Sequence, residues 1–294
     1  MKGWMGVIVS VLILVILVAT GADLPAGSTA NPKNSTELTP WVYLPYVSKQ
    51  DEVIYVSSNL SGHSIAAECN PGGVSHCPCS EADVDLTVFE DHGEVTSNVR
   101  EVHTYVNAIG YKKFTETFPK GDPITLGIYR YTGQFRLPSL PAPDPDQREN
   151  SEAAHMMIQF WDGRNALYPS NKTTLEGTIF WTLNPWSNDY GHIKVYVQPL
   201  QLFDTGIELP PDTNWHPFEL IVDLADQRYV SITVDGMYKD LSGMPLAQVY
   251  HPEWGDDVSF IITTESLAAW PQNDCRNIFK WTMWYKDLAL SRLE

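Results

Sequence analysis

Apolar and polar residues alternate in short runs along most of the chain after residue 50, and turn residues separate the runs. A period of two puts successive side chains on opposite faces of a strand. Strands are predicted at 53–57, 84–90, 99–107, 124–137, 154–161, 174–183, 192–203, 216–224, 228–235, 257–264 and 278–291. Long helical periodicity is absent; over Asn98–Ile109 a short helix is the alternative to a strand. Short strands with turn signals between them predict an all-β sandwich or barrel. The stretch 68–80 holds Pro71, Gly72, Gly73 and Pro78 and reads as a loop, as does the proline-rich stretch 138–153. No internal repeat is visible, and residues 51–294 read as a single β-sandwich domain.

Residues His155 to Gly163 carry the most informative alternation. Met156, Ile158 and Phe160 fall on one side, and His155, Met157, Gln159 and Trp161 on the other. The first side reads as core. The second mixes His, Gln and Trp, which suits a polar ring-shaped ligand: indoles stack on sugar rings and amides bond hydroxyls. Farther on, Glu176 shares a face with Phe180, and Trp181 shares the opposite face with Ile179, so only one of Glu176 and Trp181 can line a groove unless a bulge intervenes. Leu183–Ser187 is a turn that offers Asn184 and Trp186 at the rim.

Charge narrows the partners. Nineteen Lys and Arg against 36 Asp and Glu give a net charge of −17, which repels nucleic acid and anionic membrane surfaces. The first 22 residues form an export segment: Lys2, then an uncharged run from Gly3 to Ala22 with small residues at its end. It fits a secretory signal, and residues 4–22 are just long enough to act as an uncleaved membrane tether instead. Residues 23–50 read as a flexible linker. The cysteines agree with export. Cys69, Cys77, Cys79 and Cys275 are an even set; a local bridge from Cys69 to Cys77 or Cys79 and a long bridge to Cys275 are expected. A metal site from Cys69, His76, Cys77 and Cys79 matches no common zinc spacing.

The stretch Trp215-His216-Pro217-Phe218-Glu219-Leu220-Ile221-Val222-Asp223, then Tyr229-Val230-Ser231-Ile232-Thr233-Val234-Asp235-Gly236, reads as an antiparallel hairpin across Leu224–Arg228. It resembles the concanavalin A-like lectin/glucanase superfamily, as does the final run Phe279–Leu290; the resemblance spans about residues 125–294. It implies a two-sheet antiparallel jelly roll, a glycan bound in the concave face, and a structural calcium, for which Asp235 and Asp287 are candidate ligands, with Asp256 and Asp257 beside them. The Trp41–Val47 segment is similar to Tyr-Leu-Pro segments of secreted bacterial proteins. One function does not follow from one fold. The glucanase pattern Glu-x-Asp-x-x-Glu is not present: Glu81-Ala82-Asp83 begins it and no second Glu completes it.

Three readings result. The first is an extracellular glycan-binding protein using Gln159, Trp161, Trp181, Asn184 and Trp186. The second is a glycoside hydrolase or polysaccharide lyase with an unusual residue set, for which Glu176, Glu265 and His155 are candidates, with Asp162 and Glu253 as further carboxylates. The third is an adhesive envelope protein. Glu265 is read as closing an apolar strand at Ile262 and capping the turn that follows. Carboxylates or a His–Tyr pair meeting across a groove favour the enzyme, and a flat apolar patch without a groove favours adhesion.

Overall fold

The computed structural model describes residues 51–70, 82–99, 105–141, 153–168, 172–185, 187–197, 201–251, 254–269 and 280–294. These described residues form one compact unit. All regular structure among the described residues is β: β1 (Glu52–Ser57), β2 (Ser64–Asn70), β3 (Ala82–Val88), β4 (Gly93–Val99), β5 (Tyr105–Thr115), β6 (Ile128–Arg136), β7 (Ala153–Asp162), β8 (Thr173–Thr182), β9 (His192–Val197), β10 (Gln201–Glu208), β11 (His216–Asp223), β12 (Arg228–Val234), β13 (Met237–Asp240), β14 (Ala247–Tyr250), β15 (Val258–Ala269) and β16 (Lys280–Leu293). Two eight-stranded antiparallel sheets make the sandwich. Sheet I runs β13-β12-β11-β6-β16-β4-β3, with β1 also paired to β16. Sheet II runs β10-β9-β8-β7-β15-β5-β2, with β14 also paired to β8.

The expected hairpin at 215–236 is present as β11 and β12, paired from Phe218↔Val234 to Asp223↔Arg228. The expected closing strand is β16, which lies inside sheet I between β6 and β4. The helix alternative over Asn98–Ile109 is corrected: Asn98 and Val99 end β4, and Tyr105 opens β5. The single strand expected over 192–203 is two antiparallel strands, with Val197 opposite Gln201. Strands β2, β13 and β14 carry too little alternation to be read from sequence. β4 was hidden for a different reason: one of its inward positions is Ser97, whose hydroxyl donates to the Ser266 carbonyl at 2.5 Å across the sandwich. The export segment, the linker, Cys77, Cys79 and Cys275 lie outside the described residues, and Cys69 is placed only as a position in β2.

The core between the sheets takes the inward set of every central strand: Tyr129, Tyr131 and Phe135 from β6, Met156, Ile158 and Phe160 from β7, Phe260 and Ile262 from β15, and Met283 and Tyr285 from β16. Buried tyrosines of sheet I also reach across and hold sheet II by its backbone. Tyr131 donates to the Thr263 carbonyl at 3.1 Å and Tyr285 to the Glu265 carbonyl at 2.5 Å. Tyr229 donates to the Tyr196 carbonyl at 2.7 Å and accepts from the Thr178 amide at 2.9 Å. Burial pushes all three phenols above their ordinary value, so they keep the protons they donate. The strands pinned in this way, β8, β9 and β15, present their other face to the candidate site.

Gly177 marks a close approach of β8 to sheet I. A Cβ there would lie 2.5 Å from the Val222 Cγ1. Gly177→Ala is therefore expected to cost about 1–3 kcal/mol by overpacking, measured by urea denaturation. Val222→Ala in the same chain should recover part of that loss, and an unchanged midpoint for Gly177→Ala would refute the close approach.

Candidate functional site

The outer face of sheet II is built from β8, β7, β15 and β5 in that order. Register fixes which residues share it. Gln159 lies opposite Glu176 on one side and Ile261 on the other; His155 lies opposite Phe180 and Glu265; Trp161 lies opposite Thr174 and Ser259. The β7–β8 pairing runs from Ala153↔Thr182 to Trp161↔Thr174 without a bulge. The split read from sequence is therefore strict: Glu176 is on the outer face beside Gln159, and Trp181 is on the inner face. There Trp181 is fully buried in the core, packs on Phe135 and His216, and donates its indole N–H to the Leu209 carbonyl at 2.9 Å. Its expected place in a groove is corrected to a place between the sheets.

Two polar networks occupy this face. In the first, the Glu265 carboxylate accepts from Asn107 Nδ2 at 2.6 Å and Thr263 Oγ1 at 2.5 Å, and meets His155 Nδ1 at 3.2 Å. Only 2% of Glu265 is exposed. Burial pushes its carboxyl up, but the His155 contact and the other two donors outweigh burial and hold it below the ordinary value. The turn-capping role expected of Glu265 is corrected: β15 continues to Ala269, and Glu265 sits mid-strand. A strand tolerates a buried carboxylate there because side chains on β5, β7 and β15 itself supply its hydrogen bonds. The His155 ring packs 4.4 Å from Phe180 and 6.2 Å, edge-on, from Tyr196.

In the second network, Glu176 Oε1 accepts from Gln159 Nε2 at 3.2 Å and Thr174 Oγ1 at 2.9 Å. Burial raises the Glu176 carboxyl from 4.5 to about 7, and the negative charges of Glu265 and Glu68 add to the rise. Glu176 therefore keeps its proton over much of the range in which Glu265 has lost its own. The two carboxyls sit on strands flanking β7, four register positions apart, and each is held by its own β7 partner. Among the described residues, His155 Nε2, Asn107 Oδ1, Thr178 Oγ1 and Thr182 Oγ1 are buried on this face without a hydrogen-bond partner. An unpaired buried polar atom costs about 1–3 kcal/mol, so this face carries a polar cost that its own side chains do not offset.

Beyond Gln159 the face opens into a cleft of about 330 Å³, lined by Lys113, Trp161, Trp254, Gly255, Asp257, Ser259 and Ile261. Ile261 forms its floor, next to Gln159 in the register. Trp161 forms a wall but is 1% exposed. Its N–H donates to the Gly255 carbonyl at 3.1 Å, Lys172 Nζ lies 5.6 Å over its ring, and Trp254 meets it edge-on at 5.4 Å. The half-buried indole of this cleft is Trp254, stacked 3.9 Å from His251 at an interplanar angle of 6°. Sequence reading missed Trp254; the signal was a tryptophan in the turn-rich run Trp254-Gly255-Asp256-Asp257, outside any strand. Lys113 and Asp257 pair across the cleft at 3.1 Å, and burial, outweighed by the Ser259 and Lys113 bonds, leaves Asp257 below its ordinary value.

The remaining candidates are scattered. Asn184 sits in the turn after β8, its carbonyl accepting from the Ser187 amide at 3.0 Å, and Trp186 lies outside the described residues. Asp162 organises a loop, accepting the amides of Leu167 and Tyr168. Glu253 also lies outside the described residues. Asp235 and Gly236, both at positive φ, make the two-residue turn from β12 to β13. Asp287 occupies a bulge in β16 and accepts from Gln134 Nε2 at 2.9 Å. Among the described residues no group of three or more His, Cys, Asp or Glu is gathered as metal ligands.

No family model matches the chain, and no curated protein matches it. Several solved structures are similar. The catalytic domain of an endo-1,3-beta-glucanase (laminarinase) from Thermotoga petrophila is 11% identical with a TM-score of 0.45, covering 83% of this chain and 99% of that one. A winged bean acidic lectin complexed with methyl-alpha-D-galactose is 9% identical with a TM-score of 0.44, covering 83% and 99%. An endo-beta-1,4-glucuronan lyase from the fungus Trichoderma reesei is 12% identical with a TM-score of 0.45, covering 81% and 94%.

Proposed function

We propose that the protein works outside the cell and binds a glycan in the cleft at the Trp254 end of sheet II. The observation that carries this reading is the composition of that cleft: the half-buried Trp254 indole, an ammonium, a carboxylate and a hydroxyl around an apolar floor, with the buried Trp161 behind them. Such a set offers ring surface for stacking and donors and acceptors for hydroxyls. Gln159 and Glu176 extend the polar side of the floor. The apolar run Gly3–Ala22 supports export. The presence of a cleft argues against a purely adhesive patch.

A second reading, glycan cleavage, is favoured by one arrangement. His155 Nδ1 is held by Glu265, its Nε2 has no partner, and the Tyr196 ring lies 6.2 Å away. An imidazole oriented by a carboxylate is a proton acceptor or donor at its other nitrogen, and Glu176 retains a proton near neutral pH.

One assay separates the readings. The purified protein is screened on an array of neutral and acidic glycans, and each bound glycan is incubated and its products separated by size. Binding reads out the first proposal; it is expected to be saturable and at least tenfold weaker in Trp254→Ala, with the melting temperature unchanged and no shortened products. Shortened products that disappear in His155→Gln would replace binding by cleavage. A folded protein that binds no glycan overturns both.

A further inference from the structure

The outer face of sheet I, on the opposite side of the sandwich from the cleft, carries a second aromatic cluster. Trp284 on β16 lies between Arg136 of β6 and Glu94 of β4, and Lys286 follows it opposite Gln134. Trp215, in the segment entering β11, completes the group. The Arg136 guanidinium lies 5.0 Å over the Trp284 ring and 5.9 Å over the Trp215 ring, and Lys286 Nζ lies 4.5 Å over Trp215. His92 sits 4.4 Å from Trp284 and stacks on Phe89 at 4.8 Å.

The acids around this cluster are engaged elsewhere. Asp91 and Glu94 face the two nitrogens of His92 at 2.8 and 3.5 Å, and Asp287 takes the Gln134 amide. Asp287 reaches Lys286 only at 4.0 Å. Arg136 pairs with no carboxylate and no other acceptor among the described residues, and its Nε and the Trp284 Nε1 are buried without partners. A shortage of acids is not the reason, because the chain has 36 Asp and Glu against 19 Lys and Arg. A guanidinium within 6 Å of two indole rings has its charge supported by their π faces, and its planar set of N–H donors has no acceptor among the described residues. Such a fork of donors matches a carboxylate or a sulfate two donors at a time.

The geometry points to a second ligand site on sheet I, centred on Arg136, Trp215 and Trp284, that takes the anionic group of an acidic saccharide, a uronate or a sulfate ester. Arg136 supplies the bidentate contact, Lys286 a second positive charge, and the indole edges the apolar surface for the ring that bears the anion. This site shares no residue with the cleft on sheet II and does not depend on what that cleft binds.

The test is a titration followed by tryptophan fluorescence and calorimetry. It uses oligogalacturonate for the carboxylate, dextran sulfate for the sulfate and plain dextran as the neutral control. The buffer holds 150 mM salt, where the repulsion from the net charge of −17 is screened beyond about 8 Å. Saturable binding of at least one acidic probe and none of dextran is expected, and the probe that binds identifies the anion. Arg136→Gln should weaken it at least tenfold. Arg136→Lys, which keeps the charge and loses the fork, should weaken it similarly while preserving the melting temperature. Trp254→Ala should leave it unchanged, which separates this site from the cleft. Binding of neither acidic probe, or equal binding by the Arg136→Lys protein, overturns the proposal and leaves the cluster as packing alone.

Discussion

Replacing Glu176 with glutamine is expected to stabilise the protein at pH 8 and to leave it nearly unchanged at pH 4. Glu176 is 7% exposed, and burial raises its carboxyl from 4.5 to about 7. A folded-state value above the unfolded one means that the group binds its proton more tightly in the native chain. The stability it contributes is complete below 4.5 and is lost as the pH rises through about 7. Each tenfold change in proton affinity is worth about 1.4 kcal/mol, so the loss amounts to about 3 kcal/mol once the carboxyl has ionised. Glutamine keeps the oxygen that accepts from Gln159 and Thr174 and cannot ionise, so it escapes that loss. For a domain of this size the gain at pH 8 corresponds to a melting temperature higher by on the order of 10 °C. Thermal melts of both proteins at pH 4, 6 and 8 decide the matter. A difference that stays constant across the three, or that reverses at pH 8, shows that Glu176 is not a buried, protonated acid. Glu265 works in the opposite sense: its value is held low, so its contribution is present above the unfolded value and is lost as the pH falls through the folded one. Opposed carboxyls on one face are the pattern expected where an acid and its conjugate partner are kept apart in protonation state.

Much of this face was legible as sequence, because period-two alternation states directly which residues share a side. His155, Met157, Gln159 and Trp161 were separated from the core set, and Glu176 from Trp181, by parity alone. Parity does not tell which sheet covers which face, so Trp181 looked like a groove residue until the inner face of β8 was known to be packed on Phe135. Glu265 was misread because a charged residue after Thr263-Thr264 normally ends a strand. The partners that allow the strand to continue, Asn107 and His155, lie 158 and 110 residues away. Trp254 was invisible for the opposite reason: it belongs to no strand, and only the meeting of the β14–β15 connection with Trp161 and Lys113 makes it part of a cleft. The cation–aromatic cluster on sheet I is likewise a product of β16 lying centrally between β6 and β4, an order that no local pattern encodes.

The second large effect is expected from His155→Ala, which should destabilise the protein by about 3–5 kcal/mol at pH 7. The substitution leaves the Glu265 carboxylate buried with Asn107 and Thr263 as its remaining donors and without the imidazole hydrogen bond; a buried carboxylate that loses a donor, together with the loss of a buried ring, carries a cost of that size. Part of any loss would come from the missing ring contact with Phe180 rather than from charge. Adding Glu265→Gln to His155→Ala separates the two, because both proteins lack the ring and only the single variant retains the acid. If the stranded charge dominates, the double variant is more stable than the single one at pH 7. The gap between them should narrow toward pH 5, where Glu265 in the single variant can take up a proton instead of staying charged. Urea midpoints for the wild type, both single variants and the double variant give the coupling between the two positions. A double variant no more stable than His155→Ala, at any pH in that range, would mean that the imidazole holds this face together by packing. In that case His155 loses its standing as a nitrogen oriented by a carboxylate, and the cleavage reading loses its main support while the binding reading at Trp254 is untouched.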